Sequence, residues 1–287
     1  MSVILKSLWN GYGYIFEDAV DPRSKNWFLV TGPIAFWTII GFYNYFCLVL
    51  GPSLMKNREP FQLKNIIKLY NLFQICLSMY IFYEGTILIL FLTENNFLCQ
   101  AVSDATDPNT VRLVSAVWVY YMAKLTELLD TVFFVLKKSD RQISFLHLYH
   151  HSAMAFAGWM AIKYFPGGQA AYVGWINSLI HVFMYTYYFL ASYGSRFRKY
   201  LWWKRYLTVM QIVQFGLISI QAAVSLFYDC GFPIVLKLLT LAGTITFTWM
   251  FSSFYYYTYI KVNKTSLSSP HVPVPTSNGE MSNKKDS

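Results

Sequence analysis

His147, His150 and His151, in the run His-Leu-Tyr-His-His, have the type and spacing of residues that do chemistry. They stand at the start of an apolar segment, where an ionisable side chain is costly and asks for a reason. At about 100° per residue the three imidazoles fall on one helical face while Tyr149 points away. Such a cluster suits a nucleophile with proton-moving neighbours, or a metal site.

Other polar groups recur inside apolar segments. Lys124, Glu127, Asp130 and Thr131 fall within about 120° of helical arc, and Lys124 can pair with Glu127 three residues on. A mutually paired structural network accounts for them as well as a binding floor does, because buried charges need partners in either case. Asn177, His181, Tyr185 and Tyr188 share one face of a later segment, and Gln211 and Gln214 lie close together on the next. A lone histidine or glutamine in a membrane more often cross-links helices than catalyses. Depth argues for more than that: counted from the expected helix ends, these groups lie roughly 8–18 Å below one surface. Four segments thus bring polar groups to one level, above apolar and aromatic remainders. The shape suits an amphiphile with a charged head and a long alkyl tail.

The elements that position these residues follow from composition. With 287 residues, 55% hydrophobic and only 13% charged, the chain is too apolar for an ordinary soluble domain and reads as an integral membrane protein. Seven stretches approach or exceed the length of a bilayer span, near 28–50, 66–92, 113–136, 144–164, 170–192, 206–228 and 234–260. The expected fold is an all-α polytopic membrane protein with seven transmembrane helices: a catalytic domain over 1–264 and a disordered tail over 265–287, rich in Ser, Pro and Asn. The first 27 residues lack a continuous apolar run, so the first span is expected to anchor without a cleaved signal peptide. The net charge of +9 does not point to nucleic acid, because the basic residues flank apolar segments and form no stripe.

Orientation follows from those basic residues. The loops 51–65, 137–143, 193–205 and 261–287 carry most of the lysines and arginines, whereas the opposite loops carry Lys6, Arg23, Lys25 and Arg112. The first set is expected to be cytosolic, which puts the N-terminus in the lumen and the C-terminus in the cytosol. Lys284 and Lys285, fourth and third from the end, resemble a dilysine signal that retrieves membrane proteins to the endoplasmic reticulum. They also suit a merely solubilising tail. The sequon Asn263-Lys264-Thr265 falls on the cytosolic side and is expected to carry no glycan. Cys99 and Cys230 fall in lumenal loops, where either a disulfide or two free thiols would fit; the bridge is the expectation, since both lie on the oxidising side. Cys47 and Cys76 lie within spans.

Four ordered stretches carry a family resemblance. The run Lys124-Leu-Thr-Glu127-Leu-Leu-Asp130-Thr131-Val-Phe-Phe, the histidine box, the segment from His181 to Tyr188, and Thr208-Val-Met-Gln211-Ile-Val-Gln214-Phe215 resemble the signature stretches of the ELO family of very-long-chain fatty acid elongases. The resemblance implies an enzyme of the endoplasmic reticulum membrane with seven spans, six of them enclosing a narrow acyl-CoA tunnel open to the cytosol. It implies the condensation of a long-chain acyl-CoA with malonyl-CoA to 3-ketoacyl-CoA, carbon dioxide and CoA. Loss of carbon dioxide generates the carbon nucleophile, so no cofactor is expected. The reductases and dehydratase that complete the cycle would be separate partners, and a homo-oligomer is open.

On that reading His150 is the expected nucleophile, with His147 and His151 to orient it or move protons. His181 would polarise the thioester or position the malonyl group, and Asn177 and Gln211 would donate to oxyanion charge. Lys124, Glu127, Asp130, Tyr185 and Gln214 would form the polar floor. Lys137, Lys138, Arg141, Lys204, Arg205 and Lys264 surround the expected mouth, where CoA phosphates would sit, although positive-inside bias alone explains most of them. Two other readings differ in class. A di-iron desaturase or hydroxylase also uses His-x-x-His-His but needs many more imidazoles than the five present, with His271 in the tail. No metal is expected, though a single zinc site stays open, and stoichiometric iron in purified protein would favour the desaturase. A seven-helix receptor would share the topology but would incorporate no malonyl carbon.

Overall fold

The computed structural model describes residues 10–92, 97–103 and 106–261, whose regular elements are all helices, with no strand among them. Lys264, the sequon, His271, Lys284, Lys285 and the expected tail 265–287 lie outside them.

Capping residues set where the helices begin. Helix α1 (Pro33–Tyr45) starts with proline at its first position, where the missing amide is no loss, and runs on through a π-helical stretch (Phe46–Leu50) into α2 (Gly51–Met55). The first span therefore begins five residues later than position 28, because Gly32 is extended. Helix α3 (Lys64–Thr86) continues into a π-helical end (Ile87–Leu92). Helix α4 (Pro108–Thr126) is capped by Asp107, which accepts from the amides of Asn109 and Thr110. The side-chain and backbone hydrogen bonds from Thr110 hold the Asp107 carboxyl below the usual carboxylate range.

After Thr126 the chain departs from one continuous helix. Glu127 and Leu128 form a tightened turn before α5 (Leu129–Leu136), so the expected span 113–136 is broken in its middle. Helix α6 (Phe145–Tyr164) is capped by Ser144, and α7 (Gly168–Ala191) follows a turn through Gly167 and Gly168, both at positive φ. A Cβ at Gly168 would meet the Gln100 carbonyl oxygen at 3.0 Å, so glycine is required on two counts. Helix α8 (Lys204–Ser225) and α9 (Ile234–Tyr255), extended by a π-helical end (Tyr256–Lys261), complete the described chain.

Four of these rods are long and apolar enough to cross a bilayer: Pro33–Met55, Lys64–Phe91, Lys204–Ser225 and Ile234–Lys261. Their outer faces expose large apolar side chains, such as Ile34, Trp37 and Phe42 on α1 and Leu239, Ile245 and Trp249 on α9. Helices α4, α6 and α7 carry the chemistry-bearing polar residues, which lowers their hydropathy. Those polar groups are mostly buried, as the cost of charge in hydrocarbon demands.

Contacts between helices close a circuit. Helix α3 packs on α7, α7 on α8, α8 on α9, α9 touches α6, α6 packs on α4, and α4 returns to α3. The rod α1–α2 lies outside, against α5 and α6. Ile81, Tyr120, Ala123, Met154, Phe215 and Phe247, drawn from five helices of the circuit, form one buried apolar cluster. A second cluster joins α1, α4 and α6, with Phe36 stacked on Trp159 at 4.9 Å between centroids. Cys99 and Cys230 are joined by a disulfide that ties the loop before α4 to the turn between α8 and α9.

Candidate active site

The histidine box occupies the first turns of α6, where Ser144 accepts from the His147 amide at 3.2 Å. From there the imidazoles diverge. His147 Nε2 lies 3.0 Å from the Thr131 hydroxyl on α5, which also meets the Tyr43 hydroxyl of α1 at 2.7 Å. The His147 and His151 rings are 4.3 Å apart. His150 turns toward α8 and α9, its ring edge-on to Phe247 at 5.1 Å, Phe251 at 5.7 Å and Phe215 at 6.3 Å. The three residues keep to one side of the helix, with the His150 and His151 rings 5.6 Å apart, while their side chains reach toward different walls. His147 and His151 share a row, whereas position 150 is turned by about 100° from 151, so the box spans from the α5 wall to the α8–α9 wall.

The charged cluster forms around the break between α4 and α5. Lys124 Nζ donates to both Glu127 oxygens, at 2.7 and 3.0 Å, and His181 Nδ1 on α7 lies 3.0 Å from Glu127 Oε1. The Lys124 and Glu127 side chains are each 3% exposed, so each charge depends on the other. Lys124 Nζ also stands 4.8 Å above the Tyr120 ring, and the Tyr120 hydroxyl donates to Asn177 Oδ1 at 3.2 Å. Tyr185 donates to Asp130 Oδ2 at 2.7 Å. Helices α4 and α6 pack together, and Tyr120 and Ala123, next to Lys124 in space and sequence, share a buried cluster with Met154 of α6 and with Phe215 and Phe247 beside the His150 ring, so box and cluster are neighbours.

The remaining candidates are distributed unevenly. Gln211 donates to the Met184 sulfur at 3.7 Å, and Gln214 is buried on the inner side of α8. Lys137, Lys138, Arg141, Lys204 and Arg205 are exposed around the ends of α5, α6 and α8 nearest the box, and Arg205 donates to the neighbouring Tyr206 hydroxyl. Cys76 is exposed on the outer face of α3, away from the site. Two cavities, of about 290 and 670 Å³, lie toward the disulfide end, and neither is lined by the box or the charged cluster. Among the described residues no three His, Cys, Asp or Glu side chains are grouped to hold a metal ion.

The profile of the ELO family, described as the GNS1/SUR4 family, matches residues 28–267. This chain belongs to the ELO family. It is 40% identical over 259 residues to a very long chain fatty acid elongase of Aedes aegypti, covering 90% of this chain and 72% of that one. It is 41% identical over 248 residues to very long chain fatty acid elongase 4 of Homo sapiens, covering 85% and 77% of the two chains. Against human very long chain fatty acid elongase 1 the identity is 37% over 260 residues, covering 90% and 92%.

Within this ELO protein the arrangement has definite chemical capacities. With Nδ1 of His181 engaged by Glu127, its Nε2 remains to face a reactant, as in carboxylate–histidine pairs that orient a base or donor. The phenylalanine rings around His150, itself half-buried, give this imidazole an apolar setting. Sequence reasoning missed the contribution of α3. Asn71, Gln74 and Ser78, all buried, are spaced three and four apart on its inner face, the same polar periodicity that singled out α7. The apolar reading of the far halves also missed buried lysines there. Lys163 Nζ donates to the Val30 and Thr31 carbonyls, and Lys237 Nζ to those of Ser225 and Tyr228.

Proposed function

We propose that this ELO protein catalyses the condensing step of very-long-chain fatty acid elongation, as a 3-oxoacyl-CoA synthase that takes a long-chain acyl-CoA and malonyl-CoA. The relatives' names supply the substrate class. The observation that carries the mechanism is the Lys124–Glu127–His181 network at the end of α4, the helix packed beside α6, on which the His150 ring lies between His151 and phenylalanine rings. In this reading seven helices span the endoplasmic reticulum membrane, the six of the circuit enclose the acyl tunnel, the N-terminus is lumenal and the C-terminus cytosolic. Lys137, Arg141, Lys204, Arg205 and Lys264 meet the CoA phosphates at the cytosolic mouth. Lys284 and Lys285 retain the protein in that membrane, where the reductases and dehydratase of the cycle follow it.

A single narrow mouth argues for two stages, because two CoA groups would compete for it. In the first, a His150 ring nitrogen attacks the thioester carbonyl; the C–S bond breaks, CoA leaves as thiol after taking the imidazole proton, and an acyl-imidazole remains. In the second, malonyl-CoA loses carbon dioxide and its enolate carbon attacks the acyl carbonyl. The C–N bond then breaks, the departing ring nitrogen takes a proton from water at the cytosolic mouth, and His150 is restored as 3-ketoacyl-CoA is released. His181, held by Glu127, faces the thioester or malonyl carbonyl, and Asn177 and Gln211 donate to oxyanion charge. The phenylalanine rings beside His150 shield the acyl-imidazole from hydrolysis.

The test uses radiolabelled acyl-CoA without malonyl-CoA. Wild type and Cys76→Ser are expected to retain label on a peptide containing His150, whereas His150→Ala remains folded and takes up none. Label mapped to Cys76, or normal turnover by the His150 variant, would overturn the mechanism.

A further inference from the structure

Helix α3 contains no histidine, carboxylate or lysine facing the site, yet it touches the one place where the site's backbone is irregular. Glu127 and Leu128 have φ/ψ of −63/−20° and −59/−26°, tighter than α-helix. Their turn is closed by bonds three residues apart, Leu128 N to Leu125 O at 3.3 Å and Asp130 N to Glu127 O at 3.1 Å. Such a tightened stretch inside a long helix often marks a functional position. No proline is present to impose it, so other contacts must.

Those contacts come from Tyr70 and Gln74. The Tyr70 hydroxyl donates to the Thr126 carbonyl at 3.3 Å, and Gln74 Nε2 donates to Thr126 Oγ1 at 2.9 Å. The direction of the second bond is fixed, because the Thr126 hydroxyl proton is already given to the Ala123 carbonyl at 2.8 Å. Gln74 is fully buried, and its Oε1 has no hydrogen-bond partner. An apolar residue would avoid that orphaned oxygen, so the donor must be worth its retention. Thr126 is the residue immediately before Glu127, the carboxylate shared by Lys124 and His181.

We propose that Gln74, through Thr126, is a positioning residue of the condensation site: it fixes the break between α4 and α5 and thereby aims Glu127 at His181. Tyr70 supports the same turn from the carbonyl side. The inference rests on the catalytic reading of the His181–Glu127 pair given above.

The experiment compares Gln74→Met, Thr126→Val, Thr126→Ser and the double variant Gln74→Met/Thr126→Val as full-length protein in detergent micelles. Each is assayed for the acyl-enzyme on His150, for kcat and KM with acyl-CoA and malonyl-CoA, and for the pH–rate profile. Loss of one such hydrogen bond is expected to lower kcat by about tenfold, with KM for acyl-CoA held within about twofold. Both single variants should displace the pH–rate profile in the same way. The double variant should be no worse than either single one, because one linkage is removed in all three. Thr126→Ser keeps the acceptor and should behave as wild type. Multiplying losses in the double variant, an unmoved pH profile, or a Thr126→Ser as impaired as Thr126→Val would overturn the proposal. If Gln74→Met does not fold, the Val and Ser pair at Thr126 decides alone. Wild type that forms product but no His150 adduct would refute the two-stage reading. An unchanged Gln74→Met in an otherwise acylating enzyme would refute this inference only.

Discussion

Lys124 and Glu127 pose the sharpest question at the scale of residues, because one buried pair can serve folding, catalysis or both. Their spacing of three made the pairing legible in the sequence, as did the shared face of Asn177, His181 and Tyr185. What spacing did not disclose was the third partner. His181 reaches Glu127 from another helix, 54 positions away, and only the packing of α4 against α7 brings them to 3.0 Å. The uncharged residues Tyr70 and Gln74 were less legible still, since nothing about an amide in an apolar run announces that it holds a neighbour's turn. Removing one member of a buried ion pair strands the other, at a cost of about 3–5 kcal/mol, whereas removing both strands neither. Glu127→Leu alone is therefore expected to lower thermal stability markedly. Lys124→Met/Glu127→Leu should recover most of it while remaining inactive in condensation. Melting curves and product assays on the same preparations check this. A double variant that regains activity along with stability would leave the pair a structural role alone.

At the scale of elements, hydropathy located the rods and missed their irregularities. The seven stretches fall on helices to within a few residues at most ends, and four of those helices are long and apolar enough to cross a bilayer. The break after Thr126 lies inside the run Leu-Thr-Glu-Leu-Leu-Asp, which holds no proline or glycine to announce it, and the side chain that braces it sits on α3. Packing distance between rods was equally invisible. Gly85 on α3 lets Trp175 of α7 come so close that an added Cβ would lie 2.8 Å from the indole Cδ1 and 3.2 Å from its Cβ. Trp175 cannot simply swing away, because its Nε1 donates to Thr86 at 2.9 Å and its ring stacks on Phe82 at 6.2 Å. Gly85→Val is thus expected to push α3 and α7 apart and destabilise the protein by about 1–3 kcal/mol. Thermal unfolding followed by tryptophan fluorescence reads that loss. A variant as stable as wild type would mean that the two helices yield without cost.

For the whole molecule, the two ends of the helix bundle are held in different ways. Around the histidine box the helices are joined by the side chains proposed to carry the reaction. The opposite end is held by side chains outside the proposed site. Arg112 is bidentate to Glu84 at 2.7 and 2.9 Å, Lys163 clamps the chain at Val30 and Thr31, and Cys99 is bonded to Cys230. The pairing of the cysteines was legible, because loop charges placed both on one side. The clamps were not, because a buried lysine satisfied by carbonyls leaves no sequence pattern. The bridge spans 131 residues, and by chain entropy alone a loop of that length would contribute about 4–5 kcal/mol. A membrane protein should gain less, because helices that stay embedded already restrict the unfolded chain; about 2 kcal/mol is the expectation. Dithiothreitol should therefore lower the melting midpoint of wild type, and Cys99→Ala/Cys230→Ala should melt at the lowered value with or without reductant. Because the bridge lies at the end remote from His150, initial acylation rates measured well below the midpoint should be unchanged in that variant. An acylation rate that falls with the bridge while the protein remains folded would show that the two ends are coupled through the helices of the circuit.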